Sequence, residues 1–124
     1  MFGHKFTFYV PGTNRRKVLD GGLQNRMSDR VQDDFATMFG GCTVTRASGV
    51  WMDHATGKLV AEPVILVESF TDDEGHGIHE GDVFALAEEV CNIMGQESVA
   101  LEIDGVLHLV SAKLVEVEAA RIAA

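Results

Sequence analysis

The sequence predicts an α+β fold, because segments with the two-residue period of strands alternate with two segments that have the helical period. The chain has 124 residues, of which 46% are hydrophobic and 23% charged, a size and composition typical of one globular domain. No apolar run reaches the roughly 20 residues that cross a bilayer, and the N-terminus does not resemble a signal peptide. We therefore expect a single domain over residues 1–124, in the cytoplasm.

The first strand is predicted over residues 4–12, HKFTFYVPG. Two phenylalanines alternate there with Lys5, Thr7 and Tyr9, which is the pattern of a half-buried strand. A Pro-Gly pair ends it.

A long basic loop is predicted over residues 13–27, because this stretch is polar and has little periodicity. A helix follows, with Ser28 as its N-cap and the pair Gly40-Gly41 as its stop. Its apolar stripe consists of Met27, Val31, Phe35, Met38 and Phe39.

Two further strands are predicted over residues 42–52 and 59–71, separated by a turn that contains a glycine. Ser48 and Gly49 interrupt the first of them and indicate a bulge or a bend. Pro63 lies in the second, which is the most apolar strand. Because proline cannot donate a hydrogen bond, we place it near the strand entrance, at a bulge or on a locally unpaired side.

An acidic loop rich in Gly and His is predicted over residues 72–82, and Asp82 is expected to cap a second helix. The inward stripe of that helix consists of Val83, Leu86, Ala87, Val90, Cys91 and Met94.

A β-hairpin with an Asp104-Gly105 turn is predicted next. Residues 112–124 form a C-terminal extension that is either a strand or a short helix. The order of the first six elements is that of a ferredoxin-like βαββαβ plait, with an antiparallel sheet, two helices on one face, and the C-terminal hairpin as an addition. One face of such a sheet stays open.

Net charge is −9, and it is unevenly distributed. Residues 1–50 carry seven Lys/Arg and four Asp/Glu, whereas residues 51–124 carry three and fifteen. The acidic half disfavours nucleic acid as a partner. This uneven distribution would suit self-association, in which the basic part of one copy contacts the acidic part of another. Acidic side chains that only keep the surface soluble explain it equally well. Cys42 and Cys91 are expected to be reduced and buried.

Trp51 and Glu62 are candidates for a ligand site on the open face. Trp51 either packs on the sheet or forms a stacking platform for a planar ligand. Alternation places Glu62 among apolar positions, so its carboxylate either pairs with Arg46 across the hairpin or serves ligand binding or acid–base chemistry. Glu62 is the single catalytic candidate.

The segment GTNRRK is a candidate anion site, because Arg15 and Arg16 follow a glycine and two polar donors. It lacks the Gly-Lys-Ser/Thr ending of a P-loop. A small anionic ligand is one prediction, and a solvated loop or an arm that reaches a neighbouring subunit is the alternative.

His76 and His79 lie three residues apart in the acidic loop, and with nearby carboxylates they are secondary candidates for a zinc site. A glycine-rich loop does not supply the rigid frame of such a site. The favoured interpretation is a flexible connection, with no metal and no cofactor.

Several of these residues also belong to one longer pattern. It reads Phe-Gly-Gly-x-Thr, Gly-x-Trp, a turn glycine, a glutamate and a Gln-Glu-x-Val strand opening, at Phe39, Gly40, Gly41, Thr43, Gly49, Trp51, Gly57, Glu62, Gln96, Glu97 and Val99. The pattern resembles small, mostly uncharacterised bacterial and phage-encoded proteins, over roughly residues 35–105. The resemblance implies a small α+β plait without a settled activity.

The function predicted from these observations is a non-enzymatic binding or assembly domain that acts as a homo-oligomer or within a larger complex. The resemblance further implies a phage accessory protein or a virion component, and the location would then be the virion in place of the cytoplasm. The alternative is a small-molecule binding protein or enzyme that uses the open sheet face for a phosphate-like or nucleotide-like ligand.

Overall fold

A computed structural model of the chain describes residues 1–14 and 16–112. Its elements are β1 (His4–Val10), α1 (Gly21–Phe39), β2 (Thr43–Asp53), β3 (Lys58–Thr71), α2 (Asp73–Met94), β4 (Val99–Ile103) and β5 (Val106–Val110). The strands form one sheet in the order β2-β3-β1-β4-β5, and all neighbours are antiparallel. The predicted ferredoxin-like plait with a C-terminal hairpin is confirmed.

The central strand β1 divides the domain into a core and an open face. Phe6, Phe8 and Val10 are fully buried in one cluster with residues of both helices. The Phe8 ring meets Phe35 of α1 edge-on, with ring centroids 6.2 Å apart. Both helices therefore cover the same side of the sheet, and alternation turns the intervening side chains of β1 to the other side.

Strand β3 is much longer than β1, and this difference shapes the far end of the sheet. β3 pairs with β1 only as far as Ile65, opposite Val10, but it pairs with β2 back to Lys58. Pro63 therefore lies past the end of β1, and its carbonyl accepts a hydrogen bond from the Gln24 side chain at 2.9 Å. Proline costs no ladder hydrogen bond on this unpaired side, as predicted.

The bulge predicted at Ser48-Gly49 is wrong. The β2–β3 register runs residue for residue from Thr43–Glu68 to Asp53–Lys58 without an interruption. Gly49 has a packing role instead, because a Cβ there would lie 3.1 Å from a methyl group of Val64.

The predicted start of the first helix is also wrong, and the long loop over residues 13–27 is shorter than expected. α1 begins at Gly21, and Asp20 caps it by accepting a hydrogen bond from the Leu23 amide at 3.0 Å. The inner face of its first turns is polar, with Gln24 and Ser28 buried. An apolar stripe cannot reveal such turns.

Residues 72–82 form the first half of α2, so the predicted flexible loop and the cap at Asp82 are wrong. Asp72 caps the helix by accepting from the Gly75 amide at 2.8 Å. Glycines lower helix propensity, which is why sequence alone favours a loop here. Gly75 is required sterically, because a Cβ would collide with the Thr71 hydroxyl oxygen.

The turn between β4 and β5 has the predicted form. Asp104 and Gly105 both have positive φ values, 52° and 81°, as a type I′ hairpin turn demands. The predicted strand or helix of the C-terminal extension lies outside the described residues, except for its first residue. Cys42 and Cys91 are not joined in a disulfide. Within the described ranges, no helix is long and apolar enough to cross a membrane.

We expect Gly77→Ala to raise the free energy of unfolding by about 0.5–1 kcal/mol, because the site is helical and a Cβ there meets no atom within 4 Å. Gly75→Ala should instead lower it by about 1–3 kcal/mol through the collision with Thr71. Urea denaturation of both variants measures the difference. A Gly77→Ala variant no more stable than the parent would contradict a helix over this segment.

Candidate functional site

The open face of the sheet carries a polar network centred on β1. Thr7 donates a hydrogen bond to Glu68 on β3 at 3.2 Å, and the Tyr9 hydroxyl donates to Glu102 on β4 at 3.1 Å. The Lys5 ammonium lies 3.4 Å from Glu68. Side chains of three adjacent strands thus fix one another on the helix-free side.

The Tyr9 phenol is held in its neutral form. Burial raises its pKa above the ordinary value near 10, and the hydrogen bond to Glu102 raises it further, with a smaller contribution from the charge of Glu68. Tyr9 is therefore a hydrogen-bond donor on this face at neutral pH.

A cleft of about 560 Å³ lies on the open face, just past the end of β1. One wall is the extension of the β2–β3 hairpin, with Trp51, Glu62 and Val64. The other wall is the connection from α2 to β4, residues 95–98, and the end is closed by Pro11, Thr13, Asn14 and Lys17. The cleft exists because β1 ends at Val10 while its neighbour β3 continues, paired with β2.

Glu62 is held in place at this cleft. One of its carboxylate oxygens accepts a hydrogen bond from the Gly12 amide at 3.2 Å. Its partner residue on β2 is Gly49, which presents no side chain towards it. The carboxylate is thereby positioned by backbone.

The predicted pair between Glu62 and Arg46 is wrong. Arg46 lies opposite Ile65, a core residue, so its side chain is on the helix side of the sheet. It reaches α1, where it donates to the Asn25 side chain at 3.4 Å. The three-residue separation of Arg46 from Gly49 puts the two on opposite faces.

Trp51 lies on the same face as Glu62, opposite Val60 on β3, and it is half-buried along the cleft. The ring both packs on the sheet and presents a surface to the cleft. The two alternatives considered for it from sequence are compatible at this position.

The described part of the basic segment folds back on itself, and the anion site that was one prediction for it stays a prediction. The Asn14 side chain accepts hydrogen bonds from the amides of Arg16 and Val18 at 2.9 and 3.4 Å. Arg16 is exposed and is not among the residues that line the cleft. Arg15 lies outside the described residues.

Three cleft residues were missed by sequence reasoning: Tyr9, Lys17 and Gln96. The Lys17 ammonium lies 3.5 Å from a carboxylate oxygen of Asp53. The Gln96 side chain donates a hydrogen bond to the carbonyl of Thr13 and so connects one wall of the cleft to the segment that closes its end. Alternation along the first strand already placed Tyr9 on the open face, whereas the other two belong to connections without a periodic signal.

The predicted pair of His76 and His79 does not converge on one site. His76 stacks on His4 with ring centroids 4.2 Å apart, whereas His79 packs edge-on against Phe39. Within the described part of the chain, the group whose ligand atoms lie close enough for one metal ion is His4, His76 and Asp104. This group is at the other end of β1 from the cleft.

Comparison with known proteins finds a likeness in structure alone. No protein-family model matches the chain, and no curated protein does. A phage SAM lyase in complex with S-methyl-5′-thioadenosine is similar with a TM-score of 0.62 and 19% identity, over 88% of this chain and 89% of that chain. A phage SAM lyase in the apo state is similar with a TM-score of 0.59 and 20% identity, over 86% and 84%.

The comparison overturns the predicted non-enzymatic assembly domain. Both similar structures are named as enzymes, and one holds a small molecule. These neighbours therefore contradict the preference for a non-enzymatic domain, and the alternative, a small-molecule binding protein or enzyme that uses the open sheet face, agrees better with them. The pattern of Phe-Gly-Gly-x-Thr and its later residues stays a prediction, because no family model bears on it.

We expect Glu102→Gln to lower the pKa of Tyr9 while leaving it above the ordinary value, because burial is the larger cause of the shift. Tyr9 is the only tyrosine of the chain, so the ultraviolet absorbance of the phenolate reports it directly. Glu68→Gln is the matched control and should shift the pKa less. Equal effects of the two substitutions would contradict the described hydrogen bond, provided circular dichroism shows a folded chain throughout the titration.

Proposed function

We propose that this chain is a phage-encoded enzyme that binds S-adenosylmethionine in the cleft and cleaves it to S-methyl-5′-thioadenosine. The observation that supports this most directly is the meeting of Trp51 and Glu62 in one cleft, on a fold shared with two SAM lyases. The cleft volume is within the range of about 300–1,000 Å³ that small-molecule sites occupy.

The charges at the cleft suit a cationic substrate. S-adenosylmethionine carries a positive sulfonium and a positive ammonium group against one carboxylate, whereas S-methyl-5′-thioadenosine is uncharged. Glu62 and Glu97 both line the cleft, so attraction is stronger for the substrate than for this product. The same charges disfavour the phosphate-like ligand considered from sequence, which stays a prediction. Lys17 supplies the one described cation of the lining and suits the substrate carboxylate.

The aromatic residues of the cleft suit the adenine. The indole of Trp51 offers a face for stacking on a planar base, an interaction worth about 1–3 kcal/mol per base. Tyr9 adds a neutral hydroxyl at the same cleft. An aromatic face also attracts a sulfonium cation through its quadrupole.

In the reaction an oxygen of the substrate's own carboxylate forms a bond to Cγ of the aminobutyryl chain, which closes a five-membered lactone, while the bond between Cγ and the sulfonium sulfur breaks. The electron pair of that bond goes to sulfur, so positive charge on sulfur is lost as the transition state forms. A carboxylate beside the sulfur therefore stabilises the bound substrate more than the transition state. We assign Glu62, held by the Gly12 amide, to binding and orienting the cation, and not to proton transfer.

Self-association stays a prediction, as does the location in cytoplasm or virion. The β2–β3 extension supports self-association, because Val50, Met52 and Leu59 are exposed there, at 64%, 45% and 69%. They lie on the helix side of the sheet by alternation, where apolar exposure favours a protein contact.

The proposed function is tested by incubation with S-adenosylmethionine and by titration with S-methyl-5′-thioadenosine. Trp51→Ala should weaken binding of S-methyl-5′-thioadenosine by about 5- to 100-fold, the equivalent of one lost stacking contact. Glu62→Gln should raise KM for S-adenosylmethionine and change kcat less, since the amide still accepts from Gly12 but carries no charge.

Arg46→Gln is the matched control, because Arg46 lies on the opposite face, and it should leave both measurements unchanged. A folded wild-type chain that neither binds S-methyl-5′-thioadenosine nor releases it from S-adenosylmethionine would overturn the proposal. A fall in kcat with unchanged KM for Glu62→Gln would overturn the binding role of Glu62 alone.

A further inference from the structure

We propose that His4, His76 and Asp104 form a binding site for one divalent transition metal ion of the Zn²⁺ type. The site is separate from the cleft. His4 lies at the start of β1 on the helix side, whereas the cleft lies past the end of β1 on the open side.

The three side chains come from three elements that meet at one end of the sheet. His4 begins β1, His76 is in the first turns of α2, and Asp104 forms the β4–β5 turn. The Asp104 oxygen Oδ2 lies 2.6 Å from His4 Nδ1 and 3.9 Å from His76 Nε2. A tetrahedral ion with bonds of about 2.1 Å keeps its ligand atoms about 3.4 Å apart. That spacing falls between the two observed distances, and all three ligand atoms lie within 4.8 Å of one another, so shifts of at most ~1.5 Å would seat the ion.

His4 also has the outer partner that a metal-binding histidine needs. Its Nε2 atom, on the far side of the ring from Asp104, lies 2.6 Å from a carboxylate oxygen of Asp73. Metal-bound histidines commonly donate their second N–H to a carboxylate, which fixes the tautomer and directs the other nitrogen to the ion. Asp73 would hold His4 Nδ1 directed at the site in this way.

The surroundings supply charge and a fourth ligand. Glu80 approaches His76 Nε2 to 3.4 Å, one helical turn away, and either it or a water completes four-coordination. The carboxylates of Asp73, Glu80 and Asp104 meet the two stacked imidazoles there.

The donor set decides between classes of metal. Two imidazole nitrogens with a carboxylate oxygen suit Zn²⁺, Co²⁺ or Ni²⁺, whereas Mg²⁺ and Ca²⁺ require oxygen ligands. An ion there would join β1, α2 and the β4–β5 turn, so its expected effect is on stability.

The test is calorimetric titration of the full chain, purified without a histidine tag and stripped with a chelator, with Zn²⁺. We expect saturable binding of one ion per chain and a rise in Tm, whereas Mg²⁺ should have neither effect. Asp104→Asn should weaken Zn²⁺ binding by about tenfold or more. This variant retains the turn, because Asn-Gly is a preferred type I′ sequence.

His76→Gln should weaken Zn²⁺ binding similarly, and His79→Gln is the matched control on the same helix. The control should bind Zn²⁺ as the parent does, since His79 is outside the group. Absence of saturable binding would overturn the proposal and leave His4 as a residue that is only hydrogen-bonded to two carboxylates. Binding that depends on His79, or that survives both Asp104→Asn and His76→Gln, would overturn it as well. None of these outcomes depends on activity at the cleft.

Discussion

The division of β1 into an apolar side in the core and a polar side on the open face is the constraint on which the rest of the structure depends. Phe6, Phe8 and Val10 occupy the core under both helices, and the pleat then turns Lys5, Thr7 and Tyr9 to the opposite side. A strand in the centre of the sheet cannot shift by one residue without exposing the phenylalanines and burying an ammonium group. The position of the polar network on the open face is therefore a consequence of core formation.

The cleft follows from a difference in strand length. β1 ends at Val10, while β3 continues with β2 as a two-stranded extension. Gln24 is buried beneath this end of the sheet, and its side chain donates hydrogen bonds to the carbonyls of Val10 and Pro63. These two carbonyls, which have no partner strand there, are therefore still hydrogen-bonded. Gly12 must lack a side chain, because a Cβ would collide with the Pro63 carbonyl. The Gly12 amide then directs the Glu62 carboxylate at the cleft.

The open face carries the cleft, whereas the sequence favours a protein partner for this face. A helix-free sheet suits a protein partner or a small molecule equally well, and composition does not separate the two. The concave shape of this surface favours the small molecule over the protein partner. Trp51 and Glu62 line a cleft there, beside residues of two connections that are remote in the chain. Two basic candidates for ligand binding do not line it, because Arg46 is on the helix side and Arg16 is exposed.

The sequence by itself determined the element order, the helix-free face, the β4–β5 turn and the common face of Trp51 and Glu62. Each follows from the local period of apolar residues or from the backbone conformation that a short sequence such as Asp-Gly prefers. Only the tertiary structure decided where the helices begin, because their first turns carry buried polar residues in α1 and glycines in α2, which local propensity disfavours. It also decided the contacts between distant residues, such as His4 with Asp104, one hundred positions apart. Such contacts depend on the packing of whole elements, and no local pattern encodes them.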